Sequence, residues 1–390
     1  MVIKKLILFK IIVIIPITFI LTGCWDNKEL DTISIVTGVG IDATEDEDKI
    51  EFILQIERVS QHNTSPLEGA NTNDSSIILE TEAKGILSAI EKLQKQVTRD
   101  LFMHHNQAVI FGKEQAEKGI KPYIDAFLRQ QDMRMETLVF VAEGKAKDIL
   151  HNSMEQDSAF SSGITRMVDA TNRYSESYSV RVLDLVSMII EETTAPTIPI
   201  VRLEEHEKEL RLLLSGLAIF NDGGLIGQLN EIETRGYTWI MDKFKTTFIE
   251  IDIEEGFSNL NISNIKYNLE PEINNENKLI ISLEIIGDIV ISEIQGFDNM
   301  TVKAVTDTLL EEGKKVINRE IQTCFNKSKE LNADFLRFGE EFHKKFPKQW
   351  EEIKNNWNDM YQEVELSTKI ELNLIDTGKI VNSLNMKEEN

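Results

Sequence analysis

Residues 364–374 read VELSTKIELNL and alternate apolar and polar side chains over the whole segment. Residues 249–253 (IEIDI) and 281–285 (ISLEI) follow the same rule. Successive side chains of a β-strand point to opposite faces, so a period of two predicts strands with one buried and one solvated face. The last third of the chain is therefore predicted to hold an antiparallel sheet that is covered on one side.

A long helix is predicted to cover that sheet. Residues 301–331 repeat apolar side chains at helical spacing, namely Val302, Val305, Leu309, Val316, Ile321 and Phe325. A second helix is predicted to begin at Pro347, because proline is favoured in the first turn, and it carries Trp350, Ile353 and Trp357. A helix packed on an antiparallel sheet gives an α+β domain.

The first half of the chain predicts a mixed α/β domain over residues 33–192. Residues 33–41 (ISIVTGVGI) and 50–59 (IEFILQIERV) are rich in β-branched side chains and flank an acidic turn, which predicts a hairpin. Further strands are predicted at 77–81, 108–111 and 137–142, and helices at 84–97, 114–129, 145–150 and 179–192.

Proline and threonine mark the end of this domain. Residues 193–199 (TTAPTIP) contain two of the seven prolines, and each proline disfavours helix at the residue before it. We therefore predict a linker at 193–204, a middle domain at 205–257, a C-terminal α+β domain at 258–376 and a polar tail at 377–390. The predicted fold class is α+β, with three mixed α/β domains, the last an antiparallel sheet with a long packed helix.

The N-terminus has the parts of a bacterial export signal. Lys4, Lys5 and Lys10 precede an apolar run at 11–21, which is shorter than the about 20 residues that span a membrane. Residues 21–24 then read LTGC, which resembles the lipobox of bacterial lipoproteins, whose cysteine thiol accepts a diacylglycerol. We predict a signal peptide at 1–23, lipidation of Cys24 and a lipidated tether at 24–32. The alternative is a plain signal anchor, or a signal peptide with a chance cysteine.

The charge of the chain limits its partners. The net charge is −24, and removal of the three N-terminal lysines leaves about −27. Binding to nucleic acid needs clustered basic side chains, and anionic lipid head groups repel an acidic surface. We therefore expect no nucleic-acid partner, and we expect the lipid on Cys24 to hold the chain to its membrane.

The chain has two cysteines, so lipidation of Cys24 leaves Cys324 without an intramolecular disulfide partner. Cys324 follows Ile317 and Ile321 at helical spacing, which predicts a buried, apolar role. A catalytic thiol would need a basic setting, and the sequence around Cys324 does not offer one.

No motif predicts a catalytic, cofactor-binding or metal site. Residues 38–43 (GVGIDA) match the dinucleotide fingerprint G-x-G-x-x-A, but the acidic turn that follows would repel phosphate, so close packing at the glycines is favoured. Residues 45–48 (EDED) lack the ligand spacing of a calcium loop. His104 and His105 would face opposite sides of a strand. We therefore predict that the chain is not an enzyme and binds neither a cofactor nor a metal.

Residues 23–30 (GCWDNKEL) run into 33–42 (ISIVTGVGID), residues 216–220 (GLAIF) precede 227–229 (GQL) and Glu233, and Pro347, Trp350, Ile353 and Trp357 precede Gly378. These segments resemble the opening, the central hairpin and the C-terminal signature of the Ger(x)C spore germination lipoproteins. Those proteins are the C subunits of germinant receptors. The resemblance runs over nearly the whole chain after the lipobox, and its two ends are the most specific parts.

The resemblance implies three α+β domains, a lipid on Cys24, and assembly with a multispanning A subunit and a transporter-like B subunit in the spore inner membrane. It implies a role in the response to nutrient germinants and no enzymatic activity. The expected function is that of a lipid-anchored, non-catalytic receptor subunit on the outer face of that membrane. Two alternatives stay open: a substrate-binding lipoprotein of an ABC transporter, against which the long antiparallel alternation argues, and a lipid-anchored envelope enzyme.

Overall fold

The computed structural model describes residues 31–57, 76–130, 133–152, 160–171, 179–207, 209–244, 246–297 and 300–376. Within these residues the strands form one nine-stranded and one four-stranded sheet. The strands are β1 Ile33–Ala43, β2 Ile50–Glu57, β3 Ser76–Ala83, β4 Asp100–Phe102, β5 Ala108–Phe111, β6 Leu138–Ala142, β7 Thr197–His206, β8 Glu209–Asn221, β9 Gly224–Leu229, β10 Thr247–Ile253, β11 Gly256–Ile273, β12 Leu279–Gly296 and β13 Glu365–Asp376. The helices are α1 Ile86–Gln94, α2 Lys113–Lys118, α3 Lys121–Arg129, α4 Ala146–His151, α5 Phe160–Thr171, α6 Val182–Ile190, α7 Glu231–Ile240, α8 Val302–Glu330, α9 Phe338–Lys345, α10 Pro347–Ile353 and α11 Trp357–Gln362.

The first sheet has the strand order β3-β2-β1-β5-β6-β7-β8-β9, and β4 pairs with the start of β1. Its centre, from β1 through β5 and β6 to β7, is parallel. Antiparallel strands extend it on both sides, β2 and β3 beyond β1, and β8 and β9 beyond β7. The central strands β5 (AVIF) and β6 (LVFVA) are buried along their whole length, as parallel strands covered on both faces should be.

Helices cover both faces of the first sheet. Ile86 of α1, Phe127 of α3 and Leu185 of α6 share one hydrophobic cluster with the sheet. Ile149 of α4 and Ile164 of α5 belong to a second cluster on the opposite face. Burial of each such side chain contributes about 1.5–3 kcal/mol to folding, so both layers stabilise the sheet.

The second sheet has the strand order β10-β11-β12-β13, and one of its faces packs on α8. Val305, Leu309 and Ile317 of α8 lie in one cluster with Ile249 of β10 and Ile285 of β12. This confirms the predicted α+β arrangement of a long helix on a sheet. Strands β10 to β12 are antiparallel, whereas β13 is parallel to β12. The connection explains this direction, because α8 to α11 form a crossover long enough to return a parallel strand, and the alternation alone does not encode direction.

The segment 193–204, predicted to be a linker, instead contributes strand β7 to the first sheet. β7 pairs with β6 and β8, and Ile198 and Val201 are fully buried. Pro199 favoured the linker interpretation. A proline is nevertheless tolerated in a strand where the hydrogen-bond ladder is irregular. The β7–β8 register shifts between Pro199 and Val201, so Pro199 lies at such a place. Strands from both sides of the predicted linker therefore share one sheet. The domain limits at 33–192, 205–257 and 258–376 stay predictions.

Candidate functional site

The predicted lipidation site, Cys24, lies outside the described residues, as do the signal peptide at 1–23 and most of the tether. The described fold begins close to it, because β1 starts at Ile33, nine positions after Cys24. In the ranges that the structure describes, no helix has both the length and the apolar character to cross a bilayer.

The glycines of the GVGIDA segment serve close packing within β1. A Cβ added to Gly38 would lie 3.0 Å from the side chain of Leu150, and one added to Gly40 would lie 2.9 Å from it. Leu150 belongs to α4, which packs over β1. The packing interpretation of this motif is therefore confirmed.

No helix follows the GVGIDA segment, because β1 leads through a turn into β2, and the Asp42 carboxylate instead caps the N-terminus of α4. It accepts hydrogen bonds from the backbone N–H groups of Ala146 and Lys147, at the start of α4, at 2.8 and 2.9 Å. Burial raises the pKa of Asp42, while these two N–H groups act in the opposite direction. The Asp42 carboxylate thus supplies the negative charge that the N-terminus of α4 favours.

The remaining candidate groups for chemistry have structural roles or stand apart. His104 and His105 lie in a 3₁₀ turn rather than on a strand, and Phe102 stacks on His104 with ring centroids 4.7 Å apart. Cys324 is fully buried as predicted, and burial raises the pKa of its thiol well above the usual value. Across the described ranges, no three His, Cys, Asp or Glu side chains come together as metal ligands could.

A buried ion pair joins the two sheets. Nε of Arg235 on α7 donates to Oε1 of Glu320 on α8 at 2.8 Å, and Nε1 of Trp239 donates to Oε2 at 2.7 Å. Arg235 also donates to the carbonyl oxygen of Phe248 on β10 at 3.0 Å. Because α7 follows β9 directly, this group ties the end of the first sheet to the helix and edge strand of the second.

A second polar group is centred on Asp334, in the turn between α8 and α9. Its carboxylate accepts hydrogen bonds from the N–H groups of Phe338 and Gly339 at 3.0 and 2.7 Å, and from Nε1 of Trp357 at 3.0 Å. Burial raises the pKa of Asp334 to about 6 despite these hydrogen bonds. The Asp334 carbonyl oxygen accepts from the N–H of Ala195 at 3.1 Å, so the same turn holds the segment before β7.

Glycines allow the joined elements to approach each other. A Cβ on Gly236 of α7 would lie 2.1 Å from the carbonyl oxygen of Glu320. A Cβ on Gly227 of β9 would lie 2.8 Å from the side chain of Leu331 at the end of α8. Gly216 of β8 has a φ of +76°, which favours glycine. We call the contacts of α7 with α8, and of the Asp334 turn with the segment before β7, the joint between the two sheets. Gly216 and Gly227 belong to the segments that resemble the family's central hairpin, so these segments lie next to the joint.

The tryptophans of the C-terminal signature lie at the same joint. Trp350 and Trp357 pack edge to face with ring centroids 5.0 Å apart, and His343 stacks on Trp350. Pro347 occupies the first turn of α10, which confirms the predicted start of that helix. The tryptophans of the signature thus pack against the Asp334 turn.

The sequence did not predict these two polar groups, although it held a signal for one of them. Glu320 stands between Ile317 and Ile321 on the apolar stripe of α8, and a carboxylate at a core position requires a buried partner. That partner, Arg235, lies 85 positions earlier. Nothing in one sequence links two residues at that distance.

The outer face of the second sheet is partly accessible to solvent. Glu250 of β10 is exposed, and on β12 the residues between the buried ones are half-buried. Lys369 of β13 bonds to Glu284 of β12 at 2.6 Å and to Glu371 at 2.9 Å. This face also carries Asp252, Glu270, Glu272, Asp288, Glu293 and Glu365 against Lys266. The same face also carries apolar side chains, among them Phe248 of β10 and Ile286 of β12.

Comparison with protein families gives two matches that together span most of the chain. A family model described as the spore germination protein N-terminal domain matches residues 26–203. A second, described as spore germination B3/GerAC like, C-terminal, matches residues 215–378. The interval between the two matches falls within β7 and β8 of the nine-stranded sheet.

Two curated proteins of Bacillus subtilis (strain 168) are similar over nearly their full length. Spore germination protein KC is 26% identical over 386 residues, which cover 92% of this chain and 93% of that protein. Spore germination protein B3 is 20% identical over 370 residues, which cover 92% and 95%. The crystal structure of the GerBC protein matches with a TM-score of 0.57 at 16% identity, over 90% of this chain and 100% of that chain. The structural match supports the fold class.

Proposed function

The chain belongs to the GerAC family of spore germination proteins, and from that premise we propose that it is a lipid-anchored, non-catalytic subunit of a germinant receptor. One observation carries the proposal: both family matches lie on this chain, and the family-like hairpin and tryptophan signature meet at one joint between its sheets. The contacts at the joint connect the parts of the chain that the two family models match. This supports a role in which both parts act together as one receptor subunit.

The proposed location is the outer face of the spore inner membrane, with Cys24 carrying a diacylglycerol and the amide-linked palmitate typical of such anchors. Eight steps of extended chain from Cys24 to Thr32 reach at most about 28 Å. The described fold would therefore stay close to the membrane surface, where the proposed A and B membrane subunits are its partners. Two acyl chains hold a protein stably where a single chain is marginal.

The polar groups of the interior support a binding rather than a catalytic role. The buried carboxylates of Asp42, Glu320 and Asp334 are each engaged by N–H donors of the chain itself. A general acid or base must instead face a substrate within hydrogen-bond reach. The thiol of Cys324 is buried, and its raised pKa disfavours the nucleophilic thiolate.

The two alternatives find less support. A substrate-binding lipoprotein of an ABC transporter would place its ligand between two β/α lobes, whereas this chain has one sheet covered on both faces and one sheet covered on one. An envelope enzyme would need convergent polar groups in a cleft. The polar residues of the joint converge on each other instead.

Labelling of the lipid tests the anchor directly. The full-length chain is produced in a Gram-positive host with radioactive palmitate, together with Cys24→Ala and Cys324→Ala. We expect the label on the parent chain and on Cys324→Ala, and no label on Cys24→Ala, because the thiol of residue 24 is the proposed acceptor. Equal labelling of both variants, or none on the parent, would contradict lipidation at Cys24.

The receptor role is tested separately in spores. A strain whose own copy is replaced by Cys24→Ala should lose most of its response to nutrient germinants, while Cys324→Ala should keep it. Release of dipicolinic acid measures the response, and germination by a non-nutrient trigger serves as the control. A deletion strain that responds normally to every nutrient tested would argue against the receptor role.

A further inference from the structure

A strip of apolar side chains is exposed along α6. Leu183 is 54% exposed and Ile190 is 73% exposed, and the half-buried Val186 lies between them at helical spacing. Asp184 is the one charged residue of this helix. Met135 extends the strip, because the N–H of Leu183 donates to its carbonyl oxygen at 3.1 Å and its side chain is also exposed. Contiguous exposed apolar surface of this kind marks an interaction site more often than isolated residues do.

A recess opens beside the strip, and a buried amide group lies in it. Asn106 is 2% exposed, and neither its Oδ1 nor its Nδ2 has a hydrogen-bond partner within the described part of the chain. Its backbone is held in place by hydrogen bonds with Met103 and Thr137 at 3.0 Å each. The recess is lined by Asn106, Val109, Phe127, Met133, Arg134, Met135, Thr137 and Val182.

An amide buried without hydrogen-bond partners is unfavourable. A group from outside the chain would stabilise Asn106 if it donated to Oδ1 and accepted from Nδ2. We propose that the strip and the recess form the docking site of a partner polypeptide. Its apolar segment lies on Leu183 and Met135, and one polar side-chain tip enters the recess and bonds to Asn106. This inference rests on the proposed function in one respect, that the chain works within an assembly.

The recess is large enough for the tip of one side chain and too small for a free small-molecule ligand. It has room for about one water-sized group. Pockets for free small molecules enclose several hundred Å³, at least about 300 Å³. A single water would serve Asn106 but leave Leu183 and Ile190 exposed. A side chain of a longer segment fills the recess and brings the rest of that segment onto the strip.

The charges around the strip favour a protein partner with basic flanks over a lipid surface. Carboxylates outnumber guanidinium groups there, with Glu136, Asp184, Glu191 and Glu192 against Arg134 and Arg181. Arg181 is already paired with Glu136 at 2.7 Å. Anionic head groups would be repelled by this rim, whereas Lys or Arg beside an apolar segment would be attracted.

Photo-crosslinking in native membranes tests the docking site. Leu183 is replaced by benzoyl-phenylalanine in the full-length chain, and the matched control carries the same group at Leu87, an exposed leucine of α1 that is 65% exposed. After irradiation we expect one protein adduct from position 183, at least about tenfold stronger than from position 87. Equal yields at both positions, an adduct of two copies of this chain, or an adduct with lipid alone would each overturn the proposal.

The variant Asn106→Leu separates docking from folding. Leucine has the same branched shape and the same number of side-chain heavy atoms as asparagine, and the adjoining recess has room for its larger methyl groups. It removes the two unpartnered polar atoms, so the free protein should melt at the same or a higher temperature. The adduct from position 183 should nevertheless fall about tenfold, because the partner's polar tip loses its hydrogen bonds. A lower melting temperature would show that Asn106 has partners within the free protein, and an unchanged adduct would show that the recess is unused; either result overturns the proposal.

The same samples distinguish failure of this inference from failure of the proposed function. Palmitate labelling at Cys24 and a normal nutrient response, together with no adduct from position 183, would remove the docking site and leave the receptor role intact. An adduct that depends on Asn106 in spores without a nutrient response would do the reverse.

Discussion

The nine-stranded sheet is covered on both faces, and the four-stranded sheet is covered on one. In the first sheet, helices α1, α3 and α6 lie on one face and α4 and α5 on the other, so its central strands are apolar throughout. In the second sheet, α8 covers one face and the other carries charged side chains. Both faces of the first sheet are therefore needed for packing. On the outer face of the second sheet, substitutions should change the free energy of unfolding only slightly.

The joint between the sheets follows neither pattern. Besides apolar contacts of Leu217 and Leu229 with the core of the second sheet, it contains the buried pair of Arg235 and Glu320, the Asp334 turn and the close approach at Gly236. Apolar packing tolerates substitutions of similar volume, whereas a buried charge without its partner is strongly unfavourable. The largest effects of single substitutions are therefore expected at the joint, and the smallest on the open face of the second sheet.

Glu320→Ala is expected to have the largest effect. It leaves the guanidinium of Arg235 buried without its carboxylate and removes the acceptor of Trp239. The free energy of unfolding should fall by about 3–5 kcal/mol. Denaturation by urea, followed by tryptophan fluorescence and by circular dichroism, measures the change.

Asp307→Ala is the matched control on the same helix. Asp307 pairs with Lys303 at 2.9 Å, but both side chains are mostly exposed. An exposed pair of this kind contributes less than about 1 kcal/mol. Similar losses for Glu320→Ala and Asp307→Ala would mean that the buried pair does not hold the sheets together.

In the second sheet, strands with clean alternation were predictable because the alternation records which side is wet. Strand β11 was not predicted, because it is rich in polar residues and its register shifts between Ser263 and Lys266. The strands at 249–253, 281–285 and 364–374 and the helix at 301–331 all occur where the sequence placed them. Strand β7 was missed because prolines resemble a linker, and only its pairing partners show that it is a strand. The direction of β13 depends on the crossover path, which the period of a strand does not encode.

The polar groups of the joint were harder to predict for a different reason. A buried pair depends on two residues that meet only after folding, and Arg235 and Glu320 are far apart in the sequence. The Asp334 turn lies in residues 331–337 (LNADFLR), where apolar and polar residues alternate without the period of a helix or a strand. By contrast, lipidation at Cys24 is predicted from adjacent residues, and it stays a prediction because Cys24 lies outside the described residues.

Asp334 is expected to make stability depend on pH. Its pKa is about 6 in the folded protein and about 3.9 in an unfolded chain, so the folded state holds a proton that the unfolded state releases between these values. The contribution of Asp334 to stability should therefore fall as pH rises. The unfolding free energy of the parent minus that of Asp334→Asn should fall by about 2–3 kcal/mol from pH 4 to pH 7.

Asp307→Asn provides the baseline for this titration, since it changes a carboxylate that stays in contact with water. A parent chain that gains stability over Asp334→Asn as pH rises would mean that the hydrogen bonds from Gly339 and Trp357 outweigh burial, and that the folded pKa lies below 3.9.

Gly236→Ala tests the close approach of α7 and α8. The added methyl would meet the carbonyl oxygen of Glu320 at 2.1 Å and Cβ of Cys324 at 2.6 Å, so the helices must move apart. We expect a loss of about 1–3 kcal/mol, although alanine is favoured over glycine within a helix by about 1 kcal/mol. Gly144→Ala is the control, since a Cβ there meets nothing within 4 Å. If Gly236→Ala is as mild as this control, the helices are not in contact at that point.

Ile286→Thr is expected to have the smallest effect, and its neighbour Ile285 supplies the contrast. The two residues are adjacent on β12 and face opposite sides of the sheet: Ile285 is 1% exposed, whereas Ile286 lies on the half-buried outer face. Threonine keeps the β-branch, so strand preference is nearly constant between the variants. Thermal and urea denaturation should show a loss of about 2–3 kcal/mol for Ile285→Thr, where a hydroxyl is buried without a partner, and below about 1 kcal/mol for Ile286→Thr. Equal losses would mean that the outer face is packed like the inner one, and the contrast between the two sheets would then fail.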